Sequence, residues 1–159
     1  MRMKTMGGLV LLVAVVMSTP AGTAAGANSS GTKKVRCHVE DHIQEFPTAS
    51  SPGTVFSFVR CPAPFGHGIQ HATFRLTPKT STTGTAVLRL KAYFDTGTVS
   101  GVWRATYRYK NAKTAVFKQK VKWTGGTGAF KQVRAKGTGT GVQRGFLGEI
   151  NQVLTISRL

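Results

Sequence analysis

The chain has 159 residues and sets 22 Lys+Arg against 5 Asp+Glu, a net charge of +17. Its length suits one domain. A charge of that size draws polyanions and steers their approach, yet by itself specifies neither fold nor ligand. Past the N-terminal residues no segment is apolar enough for a membrane-spanning helix, which excludes a multi-span helical membrane protein.

The N-terminus reads as an export signal. Arg2 and Lys4 form a positive start, Leu9–Met17 is an unbroken apolar run of nine residues, and Ala25-Gly-Ala27 offers an A-x-A cleavage site. Nine residues is half of the roughly 18–20 that a bilayer span requires, so a membrane anchor is the weaker alternative. Cleavage after Ala27 leaves 159 − 27 = 132 residues. Residues 1–27 are thus expected to be a signal peptide, 28–34 a flexible leader, and 35–159 one secreted domain.

Export makes the cysteines legible. Cys37 and Cys61, the only two, fall in an oxidising compartment and are expected to form a disulfide. Closing that loop contributes about 3 kcal/mol. Zinc is the rival, because His38 and His42 lie close to Cys37, but four ligands at a known zinc spacing are missing and no metal is expected.

From Val35 onward apolar residues recur with period two, and Gly, Pro, Thr or Ser interrupts them every ten or so residues. Short, evenly spaced strands of this kind point to an all-β sandwich or barrel. The predicted strands are Val35–Val39, Val55–Cys61, Ile69–Leu76, Ala86–Phe94, Val99–Tyr109, Val116–Trp123, a glycine-rich strand after Phe130, and Phe146–Ile156. Pro62 and Pro64 end the second strand, since proline removes a ladder donor. Eight strands is the number at which a barrel interior just fills with side chains or holds one small ligand.

Alternation assigns the faces. In the fifth strand Trp103, Ala105, Tyr107 and Tyr109 share the inner face. In the sixth, Phe117, Gln119, Val121 and Trp123 do so, and Lys110-Asn-Ala-Lys113 makes the hairpin between the two. Gly137, Gly139 and Gly141 share one face of the seventh strand and leave it bare, which permits close backbone approach or room for a ligand. The candidate cavity lining is therefore Trp103, Tyr107, Tyr109, Phe117, Trp123, Gly137, Gly139 and Gly141. On the outer face Arg104, Arg108 and Lys110 lie across the hairpin from Lys118, Lys120 and Lys122. Like charges facing one another are destabilising, so this stripe is the candidate site for an anionic polymer or cell surface. Because the aromatics point inward, stacking on single-stranded nucleic acid is not expected.

Catalytic signatures are weak. His38/His42 and His67/His71 are i,i+4 pairs, but on strands such residues lie about 13 Å apart, too far to share one ion. Neither a Gly-x-Ser-x-Gly elbow nor a P-loop is present. In Gly125-Gly-Thr-Gly-Ala-Phe-Lys-Gln-Val-Arg134, glycines at 125 and 126 let the chain reverse sharply before Phe130.

That segment resembles the GGTGxFxxxRG signature of dirigent proteins and of bacterial allene oxide cyclase-like barrels, with Ala135 where the pattern has glycine. The likeness extends over Gly84–Leu159. It implies an all-β, antiparallel, eight-stranded calycin-like β-barrel, assembly as a homotrimer, no cofactor, and polar and acidic groups inside a mostly apolar cavity. None of Glu40, Asp41, Glu45, Asp95 or Glu149 falls in a family catalytic motif. Two functions follow as alternatives. One is a binding protein with a small apolar or aromatic ligand in the barrel and a basic outer face. The other is a cofactor-free cyclase, or a dirigent-like protein that orients a reactive intermediate. Inward acidic residues would favour the second, and a purely apolar lining the first.

Overall fold

A computed structural model describes residues 32–159; the expected signal peptide (1–27) and residues 28–31 of the expected leader lie outside them. Eight strands follow one another: β1 (Lys33–Glu45), β2 (Gly53–Arg60), β3 (His67–Pro78), β4 (Thr83–Phe94), β5 (Gly97–Asn111), β6 (Thr114–Gly126), β7 (Arg134–Arg144) and β8 (Leu147–Arg158). Each pairs antiparallel with the next, and β8 pairs back onto β1 to close the barrel. Closure leaves no free sheet edge, which is the liability of any open sheet. The expected eight-stranded antiparallel barrel is the observed fold.

The first strand differs from its predicted span. It begins at Lys33, because Lys33 and Lys34 already pair with Ile156 and Thr155, so neither belongs to a leader. It also continues past Val39 to Glu45. Val35, Cys37, Val39 and Asp41 are buried in strict alternation, and Asp41 keeps the inward register because a hydroxyl partner satisfies it there. Read from sequence, an aspartate at that position looks like the end of a strand.

One end of the barrel is sealed. Phe65, from the β2–β3 connection, packs on Phe94, Trp123 and Phe130 with ring centroids 4.9 to 5.7 Å apart. Burying a phenylalanine side chain of this kind contributes on the order of 1.5–3 kcal/mol. The glycine motif builds this seal. A Cβ on Gly126 would collide with the Thr98 carbonyl, and Gly128 has φ +57° in the turn that delivers Phe130 to the plug. Arg134 lays its guanidinium over Gly125, where a Cβ would lie 3.4 Å from Nη1. Cys37 and Cys61 are bridged, with Cα atoms 4.3 Å apart, tying β1 to the residue after β2. The β4–β5 turn joins the plug end, where Ala129 N–H donates to the Thr96 carbonyl, and the other turns, β1–β2, β3–β4, β5–β6 and β7–β8, gather at the opposite end.

Candidate functional site

Between the plug and those four turns the interior opens into a cavity of about 270 Å³. Its walls are mainly apolar: Val55 and Phe74 from β2 and β3, Leu88 from β4, Trp103 from β5 and Ile150 from β8. Three alanines, Ala86, Ala105 and Ala115, line the part of the wall where larger residues would fill it. The space therefore comes from alanines on β4, β5 and β6, not from the glycines of β7.

The glycine strip does something else. A Cβ on Gly137 would strike the Val153 carbonyl and lie 2.8 Å from Leu154 Cδ2. On Gly139 it would lie 2.8 Å from Gln119 Nε2, and on Gly141 2.6 Å from Ile150 Cγ1. Neighbouring side chains already lie across the strip, so the glycines allow close approach. Gly137, Gly139 and Gly141 do not line the cavity, and neither does Trp123, which belongs to the aromatic plug. Of the other expected lining residues, Trp103, Tyr107 and Phe117 reach the cavity wall, and Tyr109 stands half-exposed at its mouth.

A polar string runs along one side. Ser57 Oγ donates to Asp41 Oδ1 at 2.7 Å, and Gln70 Nε2 donates to Ser57 Oγ at 3.3 Å; all three residues are buried. The register explains the string, since Asp41 pairs with Ser57 and Ser57 with Gln70 on adjacent strands. Asp41 lines the cavity. Burial raises its carboxyl from 3.8 to about 6, against the opposing effects of the Ser57 hydrogen bond and nearby His42. Lost hydration penalises the charged form more than one hydroxyl and a nearby imidazole can offset. Burial, with Tyr109 beside it, also lifts the Tyr107 hydroxyl above its ordinary range.

Two residues of the cavity wall also carry polar atoms that the fold encloses. Trp103 Nε1 and Gln119 Nε2 are buried donors that find no hydrogen-bond acceptor among the described residues. A buried unmet donor costs about 1–3 kcal/mol. The cavity wall thus combines apolar surface with one carboxyl that can hold or release a proton near pH 6.

Sequence reasoning missed Asp41, Ser57 and Gln70 as a unit. The signal was there in the alternation: Val35, Cys37, Val39, Asp41 and Ile43 occupy every second position, as do Val55, Ser57 and Val59. A polar residue inside such a register points inward whatever its chemistry.

On the outer wall the six expected cations are all exposed. Arg104 pairs directly with Lys120, Thr106 with Lys118 and Val102 with Lys122. The band continues past them, because Lys122 pairs with Lys136 on β7. Arg104, Lys118 and Lys120 line a shallow saddle with Arg36, His38 and Arg60, at whose edge Glu40 pairs with Arg60 at 3.1 Å and lies 3.5 Å from His38. Arg108 and Lys110 lie further along β5, toward the open end. Among the described residues no group of three or more His, Cys, Asp or Glu is placed to hold a metal ion.

Comparison with protein-family models, with characterised proteins and with solved structures finds no match to this chain.

Proposed function

We propose that this is a secreted binding protein that holds one small apolar or aromatic molecule in the open half of its barrel and is retained on anionic polymers by its basic outer wall. The observation that carries the reading is the 270 Å³ cavity, mainly apolar in its lining and open at one end. Ligand pockets are typically about 300–1,000 Å³, mostly apolar, with a few convergent polar groups. A cavity just below that range fits a molecule of one or two rings. A ligand hydroxyl would meet Asp41. The disulfide agrees with an oxidising, extracellular setting.

The test is binding of a neutral fluorescent naphthylamine to the parent and to Ala105→Leu. The larger side chain should fill the cavity and abolish binding while the melting temperature stays close to that of the parent. Undiminished binding by a folded Ala105→Leu protein would place the probe elsewhere.

Asp41 also favours a second reading, in which the protein resembles the dirigent and allene oxide cyclase-like families in function. An inward carboxyl that is half protonated near pH 6 could move a proton on a reactive intermediate held in the same cavity. Asp41→Asn separates the two. A binding protein keeps its affinity for apolar ligands, whereas an orienting protein loses its effect on the stereochemical outcome of a phenoxy-radical coupling carried out in its presence.

A further inference from the structure

The mouth of the cavity has an unusual surface. Phe46 is 45% exposed, Tyr109 37%, Phe146 57% and Leu147 57%. Phe46 and Tyr109 line the opening itself, and Phe146 packs edge-on against Phe46 with ring centroids 5.2 Å apart. The turns that carry these rings are braced by backbone hydrogen bonds. Ile43 N–H donates to the Phe146 carbonyl at 2.8 Å, and Gly145 N–H donates to the Lys113 carbonyl at 2.8 Å. The rings are therefore displayed outward by a fixed frame, even though the plug at the other end shows that this chain can bury four aromatics together. Around them stand four exposed cations, Lys79, Lys110, Lys113 and Arg144, against two exposed acids, Glu45 and, sharing a surface hollow with Arg144, Glu149.

We infer that the open end docks on an anionic lipid surface, with the aromatic rim at the headgroup–acyl boundary and the cation collar against lipid phosphates. An apolar patch rimmed by charge marks an interaction site, and the sign of this collar selects an anionic partner. The patch is continuous with the cavity, so docking would let an apolar ligand pass between membrane and barrel without crossing water. Insertion of the whole barrel is a different matter. The outer wall carries Arg104, Lys118, Lys120 and Lys122, and cations on a lipid-facing barrel wall are strongly unfavourable near the bilayer midplane. The inference extends the cavity reading by giving the source of its ligand.

Co-sedimentation of the full chain with phosphatidylcholine vesicles, with and without phosphatidylglycerol, tests it. Each cation brought to an anionic surface contributes roughly fivefold in binding. The parent should bind the phosphatidylglycerol vesicles, and the combined Lys110→Glu, Lys113→Glu, Arg144→Glu variant should bind them at least about 100-fold more weakly. Phe46→Ser with Phe146→Ser should weaken binding about tenfold or more, since both rings are at the surface and lose burial in lipid. Lys118→Glu, Lys120→Glu, Lys122→Glu makes the same charge change on the outer wall and should stay within a few-fold of the parent. Every variant shares residues 1–31 with the parent, so only differences at the rim and wall are read. Equal losses for mouth and wall reversals would mean general attraction of a polyanion and overturn the inference, as would unchanged binding by the double serine variant or equal binding to both vesicles. Naphthylamine binding, measured on the same variants, fails separately if it is the cavity reading that is wrong.

Discussion

Replacing Asp41 by asparagine should make the protein more stable at neutral pH, an uncommon outcome for a buried, hydrogen-bonded residue. The carboxyl is held at about 6 in the folded chain against an ordinary value of 3.8. The folded state therefore binds the proton more tightly than the unfolded state does. Stability from this residue is fully present below pH 3.8 and is lost as pH rises through about 6. At about 1.4 kcal/mol per pH unit, the interval amounts to about 3 kcal/mol. Asparagine keeps an oxygen for the Ser57 hydroxyl and carries no charge to desolvate. Its stability relative to the parent should thus rise by about 3 kcal/mol between pH 4 and pH 7.5, about 10 °C in melting temperature for a domain of this size. Urea unfolding of both proteins at pH 4, 5, 6 and 7.5, with the disulfide intact, measures it directly. A difference that does not change with pH would mean that Asp41 is solvated like an exposed carboxylate. A difference that falls toward neutral pH would mean that another group stabilises its charge in the folded chain.

Other substitutions follow from the same structure. Cys37→Ser with Cys61→Ser should cost about 3 kcal/mol in urea unfolding, and a change below 1 kcal/mol would leave the bridge without a stabilising role. Gly137→Ala should destabilise by about 1–3 kcal/mol, because its Cβ meets the Val153 carbonyl and Leu154; the folded fraction should still take up the naphthylamine, and loss of uptake would return the glycine strip to the cavity. Reversing Lys118, Lys120 and Lys122 to Glu should lower the salt needed to elute the protein from heparin, with a shallower dependence of binding on salt concentration. Unchanged elution would show that the charge acts as a diffuse whole and not through this wall. Phe130→Ala should cost about 3–5 kcal/mol by opening the aromatic plug, and a smaller loss would mean that Phe65 and Phe94 close over the gap.

The period of two was enough to read eight strands and to say which residues of β5 and β6 face inward, because alternation is a local consequence of the extended backbone. Charge was legible for the same reason: Lys118, Lys120 and Lys122 must share a face wherever that face points. The partners of those faces were not legible. Whether Gly137, Gly139 and Gly141 leave a gap depends on how far Leu154, Gln119 and Ile150 reach across from neighbouring strands, and that is set by register around the closed ring. The same register joins Asp41 to Ser57 and Gln70, residues far apart in the chain, and turns what reads as a strand end into the one acidic group of the cavity. Aromatics that alternate alike in sequence are divided by height along the barrel axis, Trp123 into the plug and Tyr109 to the mouth. Local pattern gives the side of a strand on which a residue lies; only closure of the barrel sets its depth and what lies across from it.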